Sequence, residues 1–108
     1  MNFRDIVQLA INEKRKLRVT FFSKEDNTQL VRICAPFDIG PSRKFRDKTE
    51  RYHLWDYDSD EQSHTLPLLD AQVSNIELLE EHFEPQSLIT WNFKPNNWFY
   101  PRNWGNYS

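Results

Sequence analysis

The sequence predicts a mostly-β domain, a small barrel of about five strands behind one N-terminal α-helix. Two observations carry this reading. Apolar residues recur at three- and four-residue spacings as far as Ile11 and then alternate from Leu17 onward, so the period changes from that of a helix to that of a strand. Beyond Leu17 the chain runs as short alternating stretches separated by polar turns, the pattern of an all-β architecture.

The elements follow in order. Phe3, Ile6, Val7, Ala10 and Ile11 make one apolar stripe, which predicts a helix over residues 3–15. Asn2 caps its start, with Asp5 in the reciprocal position. Lys14, Arg15 and Lys16 fall where the helix dipole favours cations. Leu17, Val19 and Phe21 then alternate with Arg18 and Thr20, predicting a half-buried strand over 17–22. Residues 24–27 are a polar turn, and 30–35 return as a strand with Val31, Ile33 and Ala35 on one face. Pro36 ends or bends that strand. Residues 39–42 open a loop, and 43–51 are a charge-dense connector.

A third strand is expected over 52–57, where Tyr52 and Leu54 alternate with His53 and Trp55. A polar turn over 58–63 leads to a short strand over 64–68, and Pro67 places that strand at an edge or beside a bulge. Residues 69–72 read as a brief irregular segment or one helical turn. The last strand, 73–79, puts Ile76 and Leu78 inward. An acidic stretch, 80–84, ends the domain, taken as residues 1–84. From Pro85 the texture changes: residues 85–108 hold Trp91, Phe93, Trp98, Phe99, Tyr100, Trp104 and Tyr107 with poor periodicity. Such a set is an aggregation hazard if exposed, so this extension is expected to pack on the domain or on a partner.

Composition narrows the function classes. A chain of 108 residues fits one domain, and its 15% aromatic content must supply much of the core. With Gly40 and Gly105 as its two glycines it has no phosphate-cradling loop or dinucleotide fingerprint. Cys34, alone, makes no internal disulfide. No apolar run reaches membrane-spanning length and the N-terminus lacks a secretory pattern. A cytoplasmic, non-membrane protein is therefore expected, and Asn106-Tyr107-Ser108 is a chance match to a glycosylation acceptor. The net charge of −2 hides an asymmetry: residues 1–51 hold 12 Lys/Arg against 7 Asp/Glu, a balance of +5, and residues 52–108 hold 2 against 9, a balance of −7.

No Ser/His/Asp, Cys/His or paired-carboxylate arrangement marks a catalytic centre, so no enzyme activity and no cofactor are expected. His53 and His64 sit on neighbouring expected strands, but a zinc site needs further ligands at metal-type spacing. Cys34 reads as a small apolar packing residue. Asp56, Asp58, Asp60 and Glu61 lack the glycine and distal glutamate of a calcium loop. Trp55 reads as a core or partner-facing side chain, or as a stacking platform for a base.

The order of elements and particular residues resemble the WYL domain family. The resemblance runs through Ala10-Ile11, Leu17-x-Val19-x-Phe21, Arg32 before the proline, Pro36-Phe37-x-Ile39, Arg51-Tyr52-His53-Leu54, Ile76-x-Leu78 and Phe83, covering roughly residues 5–84. It departs from the family in three places. The Trp-Tyr-Leu run reads Arg51-Tyr52-His53 with Leu54 one position late, the Arg-x-Phe element reads His64-Thr65-Leu66, and the Arg-Ile pair reads Gln72-Val73. The resemblance implies an Sm-like or SH3-like barrel and a ligand-sensing, regulatory role. Such domains typically sit behind a winged helix-turn-helix; none is recognised here, which implies a stand-alone accessory regulator.

The candidate site is an anion-binding surface. Arg43, Lys44, Arg46, Lys48 and Arg51 lie close together against Asp47 and Glu50, and guanidinium forks suit phosphate. Arg43, Arg46 and Arg51, with Tyr52 and Arg32, are expected to take a nucleotide or nucleic-acid ligand. His64 would add charge below about pH 6.5. The bland alternative for the same cluster is a solvated connector between strands. The alternative function is a protein-interaction module that docks a partner, or a second copy, through the aromatic C-terminal segment.

Overall fold

The computed structural model describes residues 2–42, 47–58, 65–88, 98–101 and 103–105. Helix α1 spans Phe3–Glu13 and is followed by β1 (Arg15–Ser23), β2 (Thr28–Pro41), β3 (Glu50–Asp56), β4 (Thr65–Leu69), a 3₁₀ turn (Asp70–Gln72), β5 (Val73–His82) and a single turn of helix, α2 (Pro85–Leu88). The expected mostly-β fold with an N-terminal helix is what the chain builds.

Local chemistry sets the boundaries. The Asn2 side chain accepts the Asp5 backbone N–H at 2.8 Å, capping α1. The helix stops at Lys14, which adopts a left-handed conformation with φ 55° and returns its N–H to the carbonyls of Ala10 and Ile11. Arg15 and Lys16 thus belong to β1 rather than to the helix end. Arg15 Nε donates to the Leu79 carbonyl at 2.8 Å. Lys16 pairs with Glu81 at 2.9 Å and sits over the Tyr57 ring.

β1 and β2 form the expected hairpin, in register from Leu17 opposite Cys34 to Ser23 opposite Thr28. Asn27, at φ 51°, supplies the left-handed residue of its turn. Leu17, Val19 and Phe21 are buried, flanked by Cys34, Arg32 and Leu30 on β2 and by Leu78, Ile76 and Val73 on β5. Val31, expected on one face with Ile33 and Ala35, lies away from the core and is 54% exposed; Cys34, between Ile33 and Ala35, is buried. Helix α1 packs against β1, β2 and β5, and its Val7, Ala10 and Ile11 are fully buried.

The expected barrel is overturned. The five strands make one open sheet in the order β4-β3-β2-β1-β5. Among the described residues no ladder joins the edge strands β4 and β5, so neither an Sm-like nor an SH3-like closed barrel forms. The reason lies in the edges. β4 is five residues long and carries Pro67, which has no N–H to donate. The 3₁₀ turn then carries the chain across to β1, and β5 finds its register there. Pro67 does sit on an edge strand, as its chemistry requires.

β2 is also longer than expected. It does not yield to a loop at Ile39 but runs to Pro41. Its register against β3 shifts between Pro36 and Asp38, so Pro36 bends the strand through a bulge at Phe37 instead of ending it. From Cys34 to Gly40 every residue is buried, which means both faces of this stretch are covered.

Candidate functional site

The six residues singled out by sequence fall into three groups. Arg43, Arg46 and His64 lie outside the described residues. Arg32 stands on β2, its Nε 3.6 Å from Asp56 Oδ2. Arg51 and Tyr52 open β3, and both are buried.

Arg51 and Tyr52 are successive strand residues, so their side chains leave opposite faces of the sheet. The guanidinium of Arg51 donates through Nη1 to Asp47 Oδ1 at 2.9 Å. Asp47 also accepts the Thr49 N–H at 3.1 Å. Together Arg51 and Thr49 hold the Asp47 carboxyl below its usual range. The pair ties the end of the basic connector to the root of β3, and Arg51 is only 6% exposed.

Tyr52 faces the core side, opposite Ile39 and Leu68. Its hydroxyl donates to Asp70 Oδ1 at 2.5 Å. Burial, then that hydrogen bond to a carboxylate, push the phenol well above its ordinary range. Next to it Arg4 of α1 meets Glu50 at 2.7 Å and 3.3 Å, an exposed two-point pair. Tyr52 is thus a core residue with one polar tether.

Arg32 and Arg51 are not brought together. Arg51 lies opposite Gly40, and the stretch of β2 from position 32 to position 40 spans roughly 25 Å at strand rise. A small anion does not bridge them. The basic cluster is therefore one loop rooted at Arg51, and Arg32 belongs to a separate end of the sheet.

That other end has its own polar cluster. The Ile33 N–H donates to Asp58 Oδ2 at 2.7 Å, and the Asp58 N–H donates to Asp56 Oδ1 at 2.9 Å. Cys34 is buried between them and is a free thiol. Its burial raises the thiol pKa, and the neighbouring Asp56 and Asp58 charges raise it further. Such a thiol is inert at neutral pH. Among the described residues no group of three or more His, Cys, Asp and Glu side chains is arranged to hold a metal ion. His53, considered as a ligand, instead places Nε2 2.8 Å from the Gly40 carbonyl and its ring beside Phe37. Trp55 is half-buried and packs against the core.

Asp38 was missed by the sequence reading. It is buried on β2, and its carboxylate accepts the backbone N–H groups of Ile39 at 2.9 Å, Phe99 at 3.2 Å and Tyr100 at 2.8 Å. Around this anchor the Phe99 side chain lies against Gly40, Trp98 meets Phe37 edge-on at 6.3 Å, and the Tyr100 hydroxyl accepts from Asn12 Nδ2 at 3.2 Å. Trp104 Nε1 donates to the Ile11 carbonyl at 2.9 Å, and its ring meets Phe83 edge-on. Residues 98–100 and Trp104 thereby strap β2 to the end of α1. Trp91 lies outside the described residues. A charge set in the apolar run from Ala35 to Ile39 was the available signal for Asp38.

No helix among the described residues is long and apolar enough to cross a membrane. No family model matches the chain, and no curated protein matches it. Among solved structures the chain is similar in fold to proteasome accessory factor B/C (PafBC) of Arthrobacter aurescens, with a TM-score of 0.62 and 16% sequence identity. The likeness covers 83% of this chain and 13% of that one, so the chain spans a small part of the larger protein's length.

Proposed function

We propose that this chain is a divergent WYL-type regulatory domain that recognises an anionic ligand, of nucleotide or nucleic-acid kind, and catalyses nothing. The observation that carries the reading is the fold likeness to a segment of a proteasome accessory factor, coincident with the Leu17-x-Val19-x-Phe21, Pro36-Phe37-x-Ile39 and Arg51-Tyr52 pattern of the sequence. The ligand site in this proposal is the connector between β2 and β3, with Arg43 and Arg46 on it and Arg51 at its root. Tyr52 acts by fixing the root of β3 to Asp70, His64 is a secondary contributor, and Arg32, roughly 25 Å along β2, contributes only to a ligand as long as an oligonucleotide. The pair between buried Arg51 and exposed Asp47 gives the loop a fixed foot, and guanidinium forks suit a phosphate group. A cytoplasmic site of action is part of the same proposal.

The test compares the wild type with a triple Arg43→Ala, Arg46→Ala, Arg51→Ala variant against nucleotides and short oligonucleotides. If the three arginines contact phosphates of a duplex, the variant flattens the log–log salt slope by about 2.7, because each contact releases condensed counterions. A pocketed nucleotide gives a shallow slope in both proteins and lost affinity in the variant. Equal binding by two folded proteins rejects this loop as the site.

A further inference from the structure

The two edges of the open sheet are not alike. β4 is short and interrupted by Pro67, a device that blunts an edge. β5 is ten residues long and contains no proline, and its register against β1 shifts twice, between Arg15 and Leu17 and between Thr20 and Phe21. It pairs with β1 on one side, and among the described residues no strand pairs with its outer side. An unpaired strand edge presents a row of backbone donors and acceptors to any extended chain.

The side chains on β5 say which chain fits. Glu77, Glu80 and Glu81 are exposed. Glu77 pairs with Arg18, and Glu81 with Lys16, inward on β1, yet these carboxylate side chains remain 52% and 63% exposed. The outermost charges of this edge are therefore negative. Leu78 and Leu79 between them are half-buried, leaving apolar surface that an added strand would cover. A second copy is disfavoured by the same charges. Antiparallel self-pairing with Leu78 opposite Leu79 sets Glu77 against Glu80, and pairing about Leu79 sets Glu77 against Glu81. Like charges directly opposed weaken a strand pair, and opposite charges strengthen it.

We infer that the outer edge of β5 docks an extended peptide segment of a partner protein by strand addition, with lysine or arginine at alternate positions meeting Glu77 and Glu81, which share one face of the strand. This goes beyond the anion-binding reading and uses a different part of the sheet.

The probes are synthetic peptides about eight residues long, one alternating lysine with valine, one alternating glutamate with valine, and a lysine–valine peptide with a central proline. Binding is followed by amide chemical shifts of the full chain. The expected result is that the lysine–valine peptide shifts β5 amides and protects them from exchange, while the other two bind at least about tenfold more weakly. An Asn75→Lys variant changes an exposed residue on the same face as Glu77 and outside the described ion pairs. It should bind the lysine–valine peptide at least about tenfold more weakly and gain affinity for the glutamate–valine peptide. Shifts located away from β5, equal binding of the proline peptide, unchanged charge preference in the variant, no binding by any peptide, or dimerisation through β5 would each overturn the assignment.

Discussion

Asp38 carries a negative charge on a stretch of β2 whose every residue from Cys34 to Gly40 is buried. Its two oxygens answer three backbone N–H groups, two of them from Phe99 and Tyr100, far along the chain. Hydrogen bonds to a charged acceptor contribute about 1.5–3 kcal/mol each to stability when buried. Asp38→Asn keeps the shape but turns one acceptor into a donor facing an N–H. A loss of about 2 kcal/mol is expected in urea unfolding followed by tryptophan fluorescence; a variant as stable as the wild type would show that the strap is held by its aromatic rings alone. Two positions further along β2, Arg51 stands opposite Gly40, and with Thr49 it holds the Asp47 carboxyl below its usual range. The folded-state pKa is the depressed one. The stabilisation is therefore present at neutral pH and is lost as pH falls through that value. Titration of Asp47 by NMR should show a midpoint below the ordinary carboxylate range that moves upward in Arg51→Gln. An unmoved midpoint would mean the pair does not persist in solution. Cys34 was legible as a packing residue by its type, not by alternation, which grouped Val31 with Ile33 and Ala35. Asp38 was not, because the bulge at Phe37 changes the parity of the strand, and no periodicity marks where an extra residue is inserted.

Gly40 shows how one element is fitted to another. A Cβ added there would lie 2.5 Å from Phe99 Cγ and 2.8 Å from Cδ2, closer than packed carbons tolerate. Gly40→Ala should therefore displace residues 98–100 from β2 and cost about 1–3 kcal/mol, the range for overpacking a filled site. The readout is loss of exchange protection at the Phe99 and Tyr100 amides; retained protection would mean the strap shifts as a body without releasing Asp38. The helix, the β1–β2 hairpin, the edge position of Pro67 and the turn before β5 were all legible, because each is written in local period or in a residue with one strong backbone rule. The length of β2 and the end of α1 were less so. Lys14 adopts a left-handed conformation that a lysine does not advertise, and β2 continues past a proline that the ladder tolerates beside a bulge. Whether the sheet closes is a matter of which edges meet, and strand periodicity carries no information on it. The basic connector was legible as a cluster; that Arg32 stands roughly 25 Å along β2 from the position opposite Arg51 required the register.

At the scale of the molecule, the aromatic C-terminal residues cover β2 around Asp38 and reach the end of α1. Trp104 is buried, donates to the Ile11 carbonyl at the end of α1 and packs on Phe83. Trp98 and Phe99 lie on Phe37 and Gly40 of β2. These side chains occupy the chain's own surface, and Phe99 is the most exposed of the set, at 43%. Trp104→Ala removes a buried indole, a change that typically loses about 3–5 kcal/mol. In a domain of this size each kcal/mol moves Tm by roughly 4–8 °C, so the variant should melt more than about 10 °C below the wild type. Ending the chain after residue 97 removes Trp98, Phe99, Tyr100 and Trp104 together. It leaves the Asp38 carboxylate without two donors, and it uncovers Phe37, Ile11 and Phe83. The shortened chain should bind a hydrophobic dye, lose solubility and melt at least as low as Trp104→Ala. The two losses should not add, because Trp104 and the Asp38 anchor act on one strap and share its ordering entropy. A shortened chain that melts with the wild type and stays monodisperse would show that helix and sheet are sufficient alone. The aromatic segment would then be free to serve a partner.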